Sequence, residues 1–204
     1  LSYKYQGVKN LMPVTINGDG NITGLSVGGL GSGVVNTATL ANGAATGAKL
    51  TLPSGSVIQT VHTTRTTSFT TTSQTYVDLM TATITPSSNT SKMLVRYGLS
   101  AGTDNDNMHI YSAMFRDSTE IGSATDTGSR TGAFSVHNTM DQSMVYGGGE
   151  HLDSPATNSA ITYKIKVKSS NGGQANFNRS HRDHNSAAYD GRVSSFLTVM
   201  EVAV

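Results

Sequence analysis

The sequence predicts an all-β protein, an antiparallel, jelly-roll-like β-sandwich head at the C-terminal end preceded by an extended glycine-rich stalk. Three observations predict it. Apolar and polar residues alternate at period two through much of the second half, the spacing that sends successive side chains to opposite faces of a strand. Ser and Thr supply roughly a quarter of the 204 residues, which suits exposed strand faces and makes poor helix. Clusters of Gly, Pro, Asn, Asp and Ser separate the alternating runs, and no amphipathic helical pattern interrupts them.

Residues 1–13 are a short polar arm. Residues 14–54 are read as the stalk. Nearly half of the 22 glycines fall in residues 1–54, and no aromatic residue lies between Tyr5 and Phe69. Such a segment cannot bury a core of its own, because large apolar side chains supply most of the burial energy. It is therefore a linker, a disordered arm or a filament shared by several chains. Two features favour the filament. Val14 to Leu25 alternates apolar and polar residues around Asn17-Gly18-Asp19-Gly20, a hairpin signal. Residues 34–43 and 44–53 match at a ten-residue offset, with Ala38 and Leu40 aligned to Ala48 and Leu50. A flexible Gly/Ser linker has no need of that regularity.

Residues 55–204 are read as the head. Ile161, Tyr163, Ile165 and Val167 alternate with Thr162, Lys164, Lys166 and Lys168, which predicts a half-buried strand. Met93 to Leu99, Met108 to Arg116 and Thr75 to Thr85 read the same way. Val193 to Val204 is apolar on both faces, which predicts a central strand. Turns are expected at Pro86–Asn89, Thr103–Asp106, Asp117-Ser118, Asp153–Pro155 and Asn171–Gly173. Eight to ten strands at this spacing make a sandwich.

The formal net charge of +1 comes from scattered Lys and Arg, so nucleic acid is not an expected partner. No apolar run approaches the ~18 residues that span a bilayer, so no membrane insertion is expected. The polar start carries no signal-peptide pattern, and a first residue of Leu fits a processed or trimmed product. With no cysteine there is neither disulfide nor thiolate chemistry.

The run from Leu152 to Lys168 (LDSPATNSAITYKIKVK), Asn178-Arg179-Ser180 and the ending Ser194 to Val202 (SSFLTVMEV) resemble C-terminal domains of phage tail fibres. The likeness is to tail-fibre and virion-appendage proteins of marine and cyanobacterial tailed bacteriophages. Residues 14–30 (VTINGDGNITGLSVGGL) and 39–50 (TLANGAATGAKL) resemble the stalk repeats of such fibres. The resemblance implies a virion location, a homotrimer with intertwined stalks, and a knob that binds a host-surface receptor, a glycan or a protein. It also implies that the arm at 1–13 docks to other virion proteins. A trimeric capsid decoration or cement protein is the first alternative, and a small polysaccharide depolymerase the second.

The expected chemistry is binding, not catalysis. No nucleophilic triad is expected, and Gly31-Ser32-Gly33 and Gly122-Ser123 lack the frame of a nucleophile elbow. Glu120, Asp126, Asp141, Glu150 and Asp153 are the carboxylates from which a glycosidase pair would have to be drawn, but the long repeated turns of glycan-cleaving tailspikes are missing. The densest polar and aromatic stretch, residues 176–192, supplies the receptor-binding candidates Phe177, Arg179, His181, Arg182, Asp183, His184, Tyr189 and Arg192. Saccharide sites combine an aromatic face with Arg, Asp or Asn for hydroxyls. An Arg179 paired with an acid at a subunit interface accounts for the same residues equally well. His181 and His184 are the weak metal candidates, as copies from three chains around an axis, and a polar solvent loop is the plainer reading. No cofactor is expected. Asp104 to Asn107 echoes the start of a calcium loop but has neither the Gly nor the Glu such a loop needs. Gly147-Gly148-Gly149 is read as a bulge or as tight packing against a symmetry partner. The Lys164, Lys166 and Lys168 stripe is read as protection of a sheet edge.

Overall fold

A computed structural model of the chain describes residues 52–104, 107–138, 143–186 and 190–204, with the backbone of 15–16 and 22–23. The chain divides into two compact units, Leu1–Thr51 and Leu52–Val204. In the first, β1 (Thr15–Ile16) pairs antiparallel with β2 (Ile22–Thr23), with Thr15 opposite Thr23 and Ile16 opposite Ile22. The arm at 1–13 and all but the last two residues of the repeat at 34–53 lie outside the described residues.

The second unit is an all-β sandwich in which every strand pairing is antiparallel, with no helix among the described residues. Its strands are β3 (Val57–Arg65), β4 (Phe69–Thr71), β5 (Val77–Ile84), β6 (Lys92–Thr103), β7 (Ile110–Arg116), β8 (Thr119–Ile121), β9 (Ser135–His137), β10 (Val145–Asp153), β11 (Ile161–Ser169), β12 (Ala175–Phe177) and β13 (Ser195–Val202). One sheet has six strands: β10 lies on one side of β6, β13 and β12 share its other side, and β3 and β4 lie beyond them. The other has five: β5, β11 and β7 in order, with β8 and β9 sharing the far side of β7. The chain crosses between sheets at every link from β4 to β7 and again from β9 to β12. Most pairings are therefore non-local.

The period-two pattern places the core. On β6, Met93, Val95, Tyr97, Leu99 and Ala101 face inward, each at most 2 % exposed. They meet Ile161, Tyr163, Ile165 and Val167 of β11, with Leu197 and Val199 of β13 beside them. Each buried Leu, Ile or Val side chain contributes roughly 2 kcal/mol over an exposed one. As its sequence predicts, β13 is central, between β3 and β6.

Side chains seal the two corners of the sandwich. Along β3, Gln59 Nε2, Thr63 Oγ1 and Arg65 NH1 donate to the carbonyls of Thr85, Thr81 and Leu79 on or beside β5. These bonds occupy part of an otherwise open edge. At the other corner, Gly147 and Gly149 of β10 replace side chains with rings from across the sandwich. A Cβ on Gly147 would lie 2.5 Å from the His137 ring, and one on Gly149 would lie 2.5 Å from the Phe134 ring. The triple glycine is thus a strand, with no bulge in its register against β6, and the rings it accommodates belong to its own chain.

Three buried polar groups tie the layers. Tyr97 Oη and Ser112 Oγ are 2.9 Å apart, and Ser112 Oγ lies 3.1 Å from His137 Nε2. Asp153 of β10 accepts both Arg116 NH1, at 2.8 and 3.0 Å, and Tyr163 Oη, at 2.7 Å. Glu201 of β13 accepts Gln59 Nε2, Ser87 N and Ser87 Oγ at 2.5–2.8 Å. Burial opposes ionisation of Glu201, but the hydrogen bonds from Ser87, Ser91 and Gln59 outweigh it and hold the carboxyl below its usual range.

Two predictions follow from these ties. Asp153→Asn leaves Arg116 without its counter-charge in a site mostly shielded from water, and is expected to cost about 3 kcal/mol in urea denaturation. Tyr163→Phe, which removes one neutral donor, costs about 1 kcal/mol. Equal losses in the two variants contradict this assignment. The second concerns His137, whose burial pushes its pKa down to about 4 from 6.5. A depressed pKa means that the unfolded chain takes the proton first. Stability is therefore full above pH 6.5 and falls as pH drops toward 4, by on the order of 3 kcal/mol. His137→Gln is expected to flatten that part of the profile, and parallel profiles refute the role.

Candidate functional site

The segment after β12 leaves the six-stranded sheet at Asn178 and returns at β13. Asn178 has φ 62° and Asp183 φ 48°, left-handed positions that Asn and Asp tolerate better than most residues. Asn178 is fully buried. Its Nδ2 donates to the carbonyls of Arg65 and Thr67 at 2.9 and 3.1 Å, and its Oδ1 accepts Ser195 Oγ at 2.6 Å. Its backbone N–H donates to Ser100 O, and its carbonyl accepts Val193 N–H. The loop then lies over Gly102 of β6. A Cβ there would lie 2.9 Å from Ser143 O and 3.4 Å from Arg179 O and His181 N.

Within the loop, charges are matched. Arg179 NH1 donates to Asp183 Oδ2 at 2.8 Å, and its NH2 donates to Asn176 Oδ1 at 2.7 Å and Thr70 Oγ1 at 3.2 Å. Arg192 NH1 donates to the other Asp183 oxygen. Asp190 accepts Ser180 Oγ and the His184 N–H, and pairs with Arg182 Nε at 3.5 Å. The Arg192 hydrogen bond, with the two guanidinium charges, holds the Asp183 carboxyl below its usual range. The Ser180 hydroxyl chiefly does the same for Asp190. Asn176 Nδ2 and His181 Nδ1 lie 3.2 Å apart.

The loop therefore divides the sequence candidates. Phe177 is a correction: its side chain is 0 % exposed in the core, 6.0 Å from the Phe69 ring, so it has no face to offer a receptor. Strand alternation explains this, because Ala175 and Phe177 point inward from β12. Arg179 and His181 are engaged with sheet residues. Tyr189 lies outside the described residues. Asp183, His184 and Arg192, with Asn185, Ser186, Asp190 and Gly191, line an open groove of about 440 Å³, where the Arg192 side chain is 58 % exposed. His181 and His184 join no group of three metal-ligating side chains among the described residues.

Other sequence readings also move. Strand β11 is not an edge but lies between β5 and β7, so its lysines do not guard one. Lys166 and Lys168 instead place their ammonium groups over aromatic rings. Lys166 Nζ lies 4.8 Å from the Phe115 centroid, and Lys168 Nζ lies 4.5 Å from Tyr76 and 5.5 Å from Tyr111. Lys164 and Lys166 also pair with Asp78 at 3.5 and 3.1 Å. Asp104 accepts the Gln174 N–H and so shapes the turn before β12. Among the carboxylates, Asp153 is locked to Arg116, Glu150 lies opposite Arg96 on the six-stranded sheet, and Asp141 lies outside the described residues. Glu120 and Asp126 line one cavity.

One surface feature has no counterpart in the sequence reading. Gly148 and Gly98 are cross-strand partners, with Phe196 opposite Gly98 on its other side. A Cβ on Gly98 would lie 2.0 Å from Tyr146 Oη, so the Tyr146 ring, 64 % exposed, reclines over a glycine floor. His62 stacks on Phe196 at 5.9 Å. Only the register reveals this trough, since Gly98 and Gly148 are fifty residues apart in sequence.

No protein-family model and no curated protein matches the sequence. Solved structures that overlap the fold include those of infectious bursal disease virus. A T13 viral particle superposes with a TM-score of 0.40 at 10 % identity, over 73 % of this chain and 37 % of that chain. Its VP2 subviral particle gives 0.39 at 10 % over 73 % and 39 %, and the Gx strain gives 0.39 at 10 % over 72 % and 42 %. This chain spans less than half the length of those chains. Overlap at this level carries no argument about function.

Asp183→Asn tests the loop's construction. It removes the charge shared by Arg179 and Arg192, and is expected to raise amide exchange through 180–192 several-fold while β6 and β11 stay protected. Unchanged exchange in the loop contradicts the clamp.

Proposed function

We propose that the chain is a structural component of a virion, a tail fibre or spike in which three jelly-roll-like heads on a shared glycine-rich stalk bind a glycan on the host surface. The observation that carries the binding reading is the groove beside Arg192. Its walls are held by ion pairs, and charged, amide, imidazole and hydroxyl side chains line it. A preorganised polar groove suits a ligand rich in hydroxyls, because little ordering cost falls due on binding. The sequence likeness to fibre stalks and heads supports the virion setting. The stalk's lack of large apolar residues supports assembly of several chains, three in the reading adopted here. No catalytic step is part of this proposal.

Binding of the full chain to an array of bacterial surface glycans tests it, with its mass measured by light scattering. The expected result is selective binding by a trimer, with Arg192→Ala weakening it roughly tenfold, the worth of one charge-assisted hydrogen bond. A monomer at micromolar concentration defeats the shared stalk. Indifference to every glycan, or full binding by Arg192→Ala, defeats the proposed surface.

A further inference from the structure

Strand β10 is an edge of the six-stranded sheet. Its nine residues pair with β6 on one side, in one unbroken register from Val145 opposite Ala101 to Asp153 opposite Met93. No strand among the described residues pairs with its other side. In an antiparallel strand every second residue turns its N–H and C=O away from a given neighbour. The free side is therefore a row of donors and acceptors that matches another extended strand.

Water satisfies such rows on most sheet edges, so exposure alone points to no partner. What sets β10 apart is how little blunts it. Long edges usually carry Lys, Pro or a bulge, or lie under a covering element. Strand β10 has no Lys, Arg or Pro, and its register against β6 has no bulge. The opposite corner of the sandwich is built differently. There Gln59, Thr63 and Arg65 donate across to carbonyls on or beside β5, and the ladders of both β3 and β5 shift register. Strands β4, β8 and β9 have only three residues each. From inside, β10 is well backed. The Phe134 and His137 rings fill the space behind Gly149 and Gly147, and Asp153 binds Arg116 and Tyr163.

On its outer face β10 presents Tyr146, Gly148, Glu150 and Leu152 in turn. Tyr146 is 64 % exposed and Leu152 49 %, two large apolar side chains on one edge strand. Glu150 has Arg96 opposite it on β6. We infer that the free edge of β10 pairs with β10 of a second copy of this chain, antiparallel about Gly149. In that register Tyr146 faces Leu152 of the second copy, Glu150 faces its Gly148, and both strands are paired along their whole length. Apolar side chains meet across the junction and no like charges stand opposite. A shift of one residue turns the outward side chains to the wrong face. A shift of two in one direction sets Glu150 against Glu150. In the other it sets Glu150 against Tyr146 and leaves Leu152 without a partner. One strand against one strand is a small interface, so the contact is weak and reversible. It joins heads and rests neither on the virion reading nor on the trimer, and assembly through the stalk stands or falls without it.

The chain has no cysteine, so engineered thiols report the register without competition. Facing residues of an antiparallel pair lie within disulfide reach. Full-length Tyr146→Cys and Leu152→Cys chains, oxidised separately and as an equal mixture, are compared on non-reducing gels. The mixture is expected to give several-fold more cross-linked dimer than either chain alone, because each residue lies about 20 Å from its own counterpart across the junction. Equal yields from the three samples overturn the inference. So does the absence of dimer from the mixture, which leaves the edge to water or to a strand of another protein. Sedimentation at rising concentration reads the same register without thiols. Tyr146→Lys combined with Leu152→Glu is expected to self-associate roughly tenfold more tightly than Tyr146→Lys combined with Leu152→Lys, since the first sets opposite charges face to face and the second like charges. Equal association of the two double variants also overturns it.

Discussion

The six-stranded sheet has a seam, and Asn178 fills it. Strands β3 and β4 are one row interrupted at residues 66–68, and β12 and β13 are a second row interrupted where the chain makes its long excursion. Where the interruptions meet, backbone groups that a continuous ladder would pair are left facing one another. One residue settles most of them. Asn178 uses its amide nitrogen twice, its amide oxygen once, and both of its backbone groups. A buried side chain with donors and acceptors on one short stem, tolerant of a left-handed φ, is nearly restricted to Asn. The loop that follows takes its starting direction from this point. Arg179 turns back onto Asn176 and Thr70 of the same two rows.

From that seam the same logic runs through the head. Charged residues are scarce, 13 % of the chain, and the buried ones are each matched at short range. Asp153 with Arg116 and Tyr163, and Glu201 with Ser87 and Gln59, join elements far apart in sequence. Because the chain crosses between sheets so often, these few polar joints also specify which strands face one another. On β11, Lys166 and Lys168 set their ammonium groups over the Phe115 and Tyr76 rings of the same sheet's outer face. Depressions among the described residues include the groove at Arg192, the trough over Gly98 and the cavity beside the 122–134 turn.

Period-two alternation made β5, β6, β7 and β11 legible from sequence, because those strands bury one face in a shared core, and apolar residues on both faces did the same for β13. Strand β10 was hidden. Its inner face carries glycines where the pattern demands apolar residues, and the space is filled by the rings of Phe134, just before β9, and His137 of β9. Edge strand β3 was hidden as well, since its Thr-rich faces are only half buried and carry little contrast. In the loop the sequence located a dense polar segment correctly but could not show which charges neutralise one another. Asp183 serves two arginines, and Phe177 belongs to the core by strand phase alone. The cavity beside Tyr76 was illegible because its lining comes from the residue before β5, from β8 and the turn after it, and from β11, which only the fold assembles. Glu120 and Asp126 stood out as carboxylates, but nothing in their spacing linked them to Tyr76 or Lys168.

The account turns on the loop at 179–192 being presented outward by a virion-borne head. An electron-microscopy map of the intact particle that carries this chain tests that most directly. The account predicts a threefold appendage with the sandwiches at its free end and the Arg192 grooves facing away from the particle. Density that places the sandwich within a shell lattice, with the Arg192 groove closed against a neighbouring virion protein, would contradict it.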